Sequence, residues 1–562
     1  MSKRKVLLTT VFRPFSVPNK FNLPDDEKFL DYFSNRLTRE RGLFVLHDNH
    51  PTVAPHLIAC NLQSDVTVME TPTIIEFTDE LKKGYDVLGI SFLTLHFPKL
   101  MHMIALARKY APQMKVVIGG FGTALHDLER LDVDGICHGE GVRFFREFLG
   151  EAVDSHIDHP LLTVDVRLRL ALGYPALGSR KMGIIVNGFG CPHACEFCST
   201  SAYFGKRHVP FVATGKHLYE LMAHYHRMLG IHEFIIYEED FFLYRRYIDD
   251  YLQYFRERPA PFSFACYSTV KALSQYPLED LVRAGLSHVW IGVESVQSPF
   301  NKSNGKPVAE LFTELQNHGV TTTGSIIAGL DHQTRKNLPN EFEHLASLFP
   351  STVQISNLIA GPETDLRSRL EREGRLRPDV DIRDSHLYSD IVIHPEFSRG
   401  ELRGLIFQGY DFIYQSIGPA LYRMLATWHQ GWKNLHISAD PLLQMRSSIL
   451  AGRVRALAPV FLETEEFLPN DVIRSRVANL MSEIERLNGA WTHAERREAK
   501  RISKVFNQEK VRLERDGPFV YEPDTRITYY GEGEASNAVQ KLVPQQIPRV
   551  TVVDKRRPLM LF

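Results

Sequence analysis

Residues 188–200 read GFGCPHACEFCST and place three of the chain's six cysteines, Cys191, Cys195 and Cys198, on one short loop. The spacing is C-x3-C-x2-C. Three thiolates at this spacing can grip three irons of a cubane cluster and leave the fourth iron without a cysteine. An open coordination position is a place for chemistry, whereas a structural zinc closes its site with four ligands. His193, between the first two cysteines, could supply a fourth ligand. Zinc sites usually divide their ligands into two pairs on separate knuckles, which a single loop does not do. Inert buried thiols are the remaining reading.

The rest of the chain sets the context for that loop. Its 562 residues are 44% hydrophobic and 24% charged, with a formal net charge of −1. This is the composition of an ordinary globular protein of about three to four domains. Nothing in the balance argues for nucleic acid or an anionic membrane. Six cysteines in so long a chain make no disulfide framework, and a reducing cytoplasm is expected. The opening MSKRKVLLTTVFRPF has a basic cluster and then an apolar run that ends at Arg13 without a cleavage signal, so it reads as a first buried strand. No stretch approaches the ~18–20 apolar residues of a membrane span, and no internal repeat stands out.

Residues 1–155 alternate strand and helix patterns. KVLLTTVF, DVTVMET, DVLGISFLTL, MKVVIGGFG and VDGICHGEG are the strands, and FPKLMHMIALARKYAP and VRFFREFLG are helices. Such alternation means parallel pairing and a doubly wound α/β sheet of the Rossmann-like kind. Residues 20–60 are polar, with Asp25, Asp26, His47, Asp48 and His50, and read as a helix and loops. Residues 156–180 read as a linker. From 181 to 395 the alternation resumes in six strands: KMGIIVNGFG, EFIIYEEDFF, FSFACYSTV, HVWIGVES, VTTTGSIIAGLD and TVQISNLIAG. Six βα units predict a partial (βα)6 barrel of the TIM type, with its chemistry at the carboxyl ends of the strands, where the cysteine loop falls. Residues 396–517 are helical in pattern, and 518–562 read as an extended tail.

The motif C-x3-C-x-aromatic-C, with Phe197 in the aromatic position and a strand before it, resembles that of the radical S-adenosylmethionine (radical SAM) superfamily. The resemblance implies a 4Fe–4S cluster on Cys191, Cys195 and Cys198 that chelates S-adenosylmethionine. Its reductive cleavage would yield a 5′-deoxyadenosyl radical able to take hydrogen from an unactivated carbon. Other stretches are similar strand by strand. In YEEDFF, Glu239 or Asp240 would hold the methionine amine. Ser268 in CYSTV would touch the methionyl or ribose part. In GVES, Glu294 would accept ribose hydroxyls, with Ser295 assisting. In GSIIAGLDHQT, Gly329 would let the backbone approach adenine. The chain departs from the family after this point, with Asp331-His332-Gln333-Thr334 in place of Pro-Gly-Glu-Thr. GPETDL and EREGRL resemble the segment after the sixth strand. The resemblance also implies an external reductant such as flavodoxin or ferredoxin.

A doubly wound domain ahead of such a barrel resembles the cobalamin-binding class of the superfamily. VLGIS, VVIGGFGTAL and VDGICHGEG carry the likeness. Gly119, Gly120 and Gly122 would admit a flat macrocycle or its nucleotide tail, with Ser91, Gly139 and Glu140 on the same edge. As a dinucleotide fingerprint GGFGTA lacks its third glycine. Asp48-Asn49-His50 is the one near match to D-x-H-x-x-G and lacks the glycine, so no histidine ligand on cobalt is expected. Cys60, Cys137 and Cys266 read as small buried hydrophobes. No cysteine follows Cys266, which argues against a second cysteine-ligated cluster and hence against sulfur insertion.

Three activities follow as alternatives. They are cobalamin-dependent methyl transfer to carbon, a cobalamin-independent oxidation, cyclisation or carbon–carbon coupling, and a non-catalytic cluster protein. FIYQSIGPALYRMLATWHQGW in the C-terminal region carries Phe412, Tyr414, Tyr422, Trp428 and Trp432. It is either helix core or the wall of a pocket for an apolar substrate such as a lipid, polyprenyl or tetrapyrrole. The basic helix from Arg496 to Arg515 is interrupted by Glu498 and Glu509 and reads as a solvated face.

Overall fold

A computed structural model describes residues 3–13, 43–44, 52–170, 174–297, 305–384, 388–516 and 525–531. The polar stretch with Asp25, Asp26, His47, Asp48 and His50, the Asp48-Asn49-His50 near match, and most of the expected tail lie outside the described residues.

The first domain is the expected doubly wound sheet. Its strands are β1 (Lys5–Thr10), β2 (Asp65–Glu70), β3 (Val87–Ser91), β4 (Lys115–Gly119) and β5 (Gly135–Cys137), all parallel, in the order β2-β1-β3-β4-β5. The apolar run of β1 follows from its central place, with helices covering both faces. The strand order reverses between β1 and β3, and ligands of such sheets bind beside that point, outside the carboxyl ends.

The second sheet holds β6 (Leu162–Leu170), β7 (Tyr174–Val186), β10 (Glu233–Tyr237), β11 (Ser263–Ser268), β12 (Leu286–Glu294), β13 (Thr321–Ala328) and β14 (Thr352–Asn357). A short pair, β8 (Gly188–Phe189) and β9 (Val209–Pro210), brackets the cysteine loop. From β7 to β14 the six long strands are parallel in sequence order, a partial (βα)6 barrel. The residues expected as a linker instead form β6 and the start of β7, an antiparallel pair on the open edge of this barrel. The alternation of LTVDVRLRL was a legible strand signal there. A return strand, β15 (Arg526–Tyr530), pairs antiparallel with β2 and covers the edge of the first sheet. The Tyr530 hydroxyl lies 2.8 Å from Nδ1 of His56, which reaches Glu70 with its other ring nitrogen at 3.1 Å.

Outward-facing strand residues such as Phe234, Ile236, Val289, Ile291, Val353 and Ile355 are buried under the helices. Inward-facing Tyr237, Tyr267 and Trp290 are only half-buried and form a ladder, with ring centroids 6.4 and 5.3 Å apart. Ser325, Gln354 and Ser356, also half-buried, line the opposite strands.

The C-terminal helices decide between the two readings of their aromatics. Helices Ala420–His436 and Pro441–Leu457 pack against the amino ends of the barrel strands, away from the cysteine loop. A Cβ built at Gly431 would come within 2.2 Å of the backbone of Gly319, just before β13. Arg423, fully buried, donates to Ser351 O just before β14 at 3.3 Å and to Gly418 O. Arg446 donates to Arg283 O at 2.9 Å, and Arg453 pairs with Glu233 at 3.1 Å. The Arg453 guanidinium lies over the Trp428 ring. Tyr422 and Trp428 are therefore helix-to-barrel core. Helix Glu401–Ile417 flanks β14, and its Leu402 reaches the carboxyl end. Among the described residues, no helix is long and apolar enough to cross a membrane.

Candidate active site

The cysteine loop leaves β8 through Gly190, whose φ is +80° and where a Cβ would strike Arg207 O at 2.2 Å. Only glycine fits a turn that is both left-handed and crowded. Ala194, between the first two cysteines, is held at φ +53°. Cys191 is buried, Cys195 and Cys198 are half-buried, and none of the three is in a disulfide. Burial pushes the Cys191 thiol up to about 12. Cys198 is the N-cap of the short helix Ser199–Tyr203, its Sγ accepting from Ser201 N at 3.5 Å, while Ser201 Oγ donates to Cys191 O at 2.7 Å. The loop thus closes on itself. It is also tied to the segment after β14, since Leu366 N donates to Glu196 O at 2.9 Å and Arg369 pairs with Glu196 at 3.2 Å. Phe197 packs with the apolar cluster of Leu330, Leu358 and Leu366 at the ends of β13 and β14.

Among the described residues, no three His, Cys, Asp or Glu side chains converge as one metal ion would require. A tetrahedral zinc draws its thiolates to about 2.3 Å from a single point. Three thiols on three corners of a cubane need not converge, so the donor set fits a cluster better than a zinc ion. Burial likewise raises the thiols of Cys60 and Cys137 to about 12 and that of Cys266 well above its usual value, so what sets the loop cysteines apart is their grouping on one loop and not their burial.

The two adjacent acids at the end of β10 have different surroundings. Asp240, 3% exposed, accepts from Ser268 Oγ at 2.7 Å, Thr269 Oγ1 at 2.9 Å, Thr269 N at 3.2 Å and His193 at 2.7 Å. Its lone pairs are occupied, and through His193 it braces the cysteine loop. Glu239 keeps one oxygen, Oε2, buried and without a partner. Burial pushes this carboxyl up to about 7, against the opposing pull of backbone N–H groups, Gly190 among them. An orphaned buried carboxylate oxygen beside the cysteines fits an incoming ammonium group. A third acid, Glu238, is held by Asn187 and by His208 at 3.0 Å.

At the end of β12 the register with β13 slips between Gly292 and Glu294, and Glu294 sits at φ +64°, 5% exposed. Such backbone is disfavoured for a residue with a Cβ and clusters at functional sites. Ser295 is turned elsewhere, donating to Glu341 at 2.6 Å and lying 3.0 Å from His332. Gly329 has φ +92°, and a Cβ there would meet Leu402 at 2.7 Å, so helix packing alone demands glycine. Gln333, in the segment that departs from the family pattern, accepts from Gly329 N at 2.7 Å and Leu330 N at 3.1 Å. With its amide nitrogen on Ile327 O at 3.0 Å, it closes the turn after β13.

On the first domain, Ser91 and Gly119 are neighbours at the ends of β3 and β4, both half-buried. Gly120, at φ +91°, and Gly122 owe their identity to Phe92, whose backbone and ring would clash with a Cβ at either position. Gly139, at φ +89°, faces open space. Glu140 is the N-cap of helix Gly141–Leu149, accepting from Val142 N at 2.5 Å and Arg143 N at 3.1 Å. The cysteine loop meets this edge through Tyr203, a residue that nothing in the sequence singled out.

A family model described as the radical SAM superfamily matches residues 185–345. The chain is 26% identical over 224 residues to a hopanoid C-2 methylase of Rhodopseudomonas palustris, covering 37% of this chain and 41% of that protein. It is 22% identical over 340 residues to an uncharacterized methyltransferase of Pyrococcus horikoshii, covering 54% of this chain and 72% of that one. Among solved structures, it resembles the radical S-adenosylmethionine methyltransferase TsrM from Kitasatospora setae, determined with cobalamin and a 4Fe–4S cluster bound. The TM-score is 0.50 at 12% identity, over 81% of this chain and 100% of that chain. This last likeness is one of fold.

Proposed function

We propose, on the premise that residues 185–345 are a radical SAM domain, that this enzyme transfers a methyl group to an unactivated carbon of a neutral, apolar substrate with the aid of cobalamin. When bound, the cluster delivers one electron to S-adenosylmethionine to give a 5′-deoxyadenosyl radical, and cobalamin serves as methyl carrier. Cys191, Cys195 and Cys198 hold the cluster. Glu239 holds the methionine amine, and this is the observation that carries the reading: a buried carboxylate oxygen without a partner stands beside a loop of three cysteines, none of them in a disulfide. Asp240 and Ser268 brace the loop from beneath. Glu294, aimed by its bulge, accepts the ribose hydroxyls, and the turn at Gly329 bounds the adenine end.

Support for the methyl carrier comes from the half-buried Ser91–Gly119 pair and the open space at Gly139, on an edge that faces the cysteine loop. The two curated relatives are named as methylase and methyltransferase, and the structure of like fold holds cobalamin. An apolar substrate, of which a hopanoid is one kind, suits the ladder of Tyr237, Tyr267 and Trp290. A reducing cytoplasm and a flavodoxin- or ferredoxin-type electron donor suit a cluster of this kind.

The test is anaerobic purification with cobalamin supplied, followed by metal counts and turnover. The reading expects about four iron and one cobalt per chain, with both S-adenosylhomocysteine and 5′-deoxyadenosine formed. Iron without cobalt, and 5′-deoxyadenosine alone, would overturn methyl transfer in favour of oxidation, cyclisation or coupling.

A further inference from the structure

The helix that begins at Cys198 ends in a side chain that leaves the barrel. Tyr203 is 5% exposed, and its hydroxyl lies 3.0 Å from Gly120 O, 3.0 Å from Gly139 N and 2.8 Å from Thr123 Oγ1. All three partners belong to the carboxyl edge of the first domain. The hydroxyl donates to the Gly120 carbonyl and accepts from the Gly139 N–H, so one oxygen joins the turn after β4 to the turn after β5. The ring sits between His138 at 4.4 Å and Phe121 at 4.8 Å, with Phe204 at 5.1 Å. A looser contact runs beside it. His138 lies 3.6 Å from Glu363, which stands at φ +60° in the segment after β14. At its other end the same short helix holds two cluster residues, Cys198 as its cap and the Cys191 carbonyl through Ser201.

We propose that Tyr203 is a positioning residue that fixes the separation between the cysteine loop and the ligand-binding edge of the first domain. Reaction between groups carried on two domains depends steeply on their placement, with errors near 1 Å costing on the order of a hundredfold. A bond network closed across the junction supplies that placement from the protein alone. The inference deepens the function proposed above, and only its cobalamin arm rests on that function.

The experiment uses the full chain with Tyr203→Phe, which keeps the ring and removes the hydroxyl, and Tyr203→Ala, which removes both. Hydrogen exchange on the cofactor-free chain comes first. Loss of one hydrogen bond should speed exchange of the Gly139 amide by about fivefold to tenfold in Tyr203→Phe, with amides of β1 unchanged. The second readout is the magnetic coupling between reduced cluster and cobalt(II) in the loaded chain. It should weaken and spread in Tyr203→Phe, more so in Tyr203→Ala, while the iron count of Tyr203→Phe stays at the wild-type value. Wild-type exchange at Gly139 in Tyr203→Phe, or wild-type coupling in that variant, would overturn the proposal even where Tyr203→Ala fails to fold. A wild-type chain that binds no cobalamin would overturn the cobalamin reading and leave the exchange result to decide the role of Tyr203.

Discussion

The two ends of the barrel are made from the same six strands and behave as opposites. At the amino ends, Arg423, Arg446 and Arg453 reach in from the C-terminal helices and put N–H groups on carbonyls or on Glu233. Glycine meets glycine at 431 and 319 so that helix and barrel can touch. At the carboxyl ends the backbone is held at positive φ at Ala194, Glu294 and Glu363, and Glu239 keeps an oxygen unpaired. The amino end is tied to the C-terminal helices, although Arg446 Nε, Arg453 Nε and Trp428 Nε1 there are buried without an acceptor and Phe349 sits at φ +48°. The carboxyl end differs in the sign of what is left unmet: a carboxylate oxygen beside the cysteines, which a bound cation can relieve. The contrast assigns stability to one end and chemistry to the other, and substitutions can separate them.

The largest effect is expected at Cys195. Cys195→Ala should lose most of the cluster iron and all S-adenosylmethionine cleavage, yet change the stability of the cofactor-free chain by less than about 1 kcal/mol. Iron analysis with denaturant unfolding checks both halves, and full cleavage by this variant would sink the assignment. At the opposite end, Arg423→Met leaves two buried carbonyls without their donor and should cost about 3 kcal/mol. Reconstituted at low temperature, it should still bind the wild-type amount of iron; loss of iron with no change in stability would break the comparison.

Asp240 and Glu239 sharpen the comparison within the carboxyl end. Asp240→Asn removes a charged acceptor serving Ser268, Thr269 and His193, and should cost about 2 kcal/mol, read from the unfolding midpoint. Glu239→Gln should do the reverse. Its carboxyl is raised to about 7 by burial, so the folded chain holds a proton there that the unfolded chain releases above its ordinary range. Stability from this group therefore falls as pH rises towards 7. The glutamine variant should be more stable than wild type at pH 8 by about 1–2 kcal/mol and lose that advantage near pH 4. S-adenosylmethionine should bind wild type more tightly as pH rises through 7, and Glu239→Gln about tenfold or more weakly at pH 8. Calorimetric titration at two pH values decides it; equal affinities would return the amine to another acceptor.

Much of this was legible in the residues because it rests on local pattern. The eleven parallel strands of the two sheets follow from short apolar runs broken by glycine and helix signals, as in KVLLTT and EFIIY. The cysteine loop needs only spacing. What escaped were roles set by partners distant in sequence. Ser295 and Gly329 looked like cofactor contacts, and the structure engages both in the scaffold, through a bond to Glu341 and packing on Leu402. Glu140 also looked like one, and its role is local: it caps the N–H groups of Val142 and Arg143. The aromatics at 422 and 428 suited a core or a pocket, with core the favoured reading, and their helix under the barrel makes them core.

The sequence by itself determined which chemistry is available, because three thiols at C-x3-C-x2-C can meet one cluster wherever the loop is placed. It determined the two α/β units as well, since periodicity is a property of neighbours along the chain. Only the tertiary structure decided which of two adjacent carboxylates is fully hydrogen-bonded and which keeps one oxygen without a partner. Only it set the C-terminal helices beneath the barrel and brought Tyr203 to Gly120 and Gly139. The physical reason is that hydrogen-bond satisfaction and burial depend on groups far apart in the chain, and no local pattern records which of them will meet.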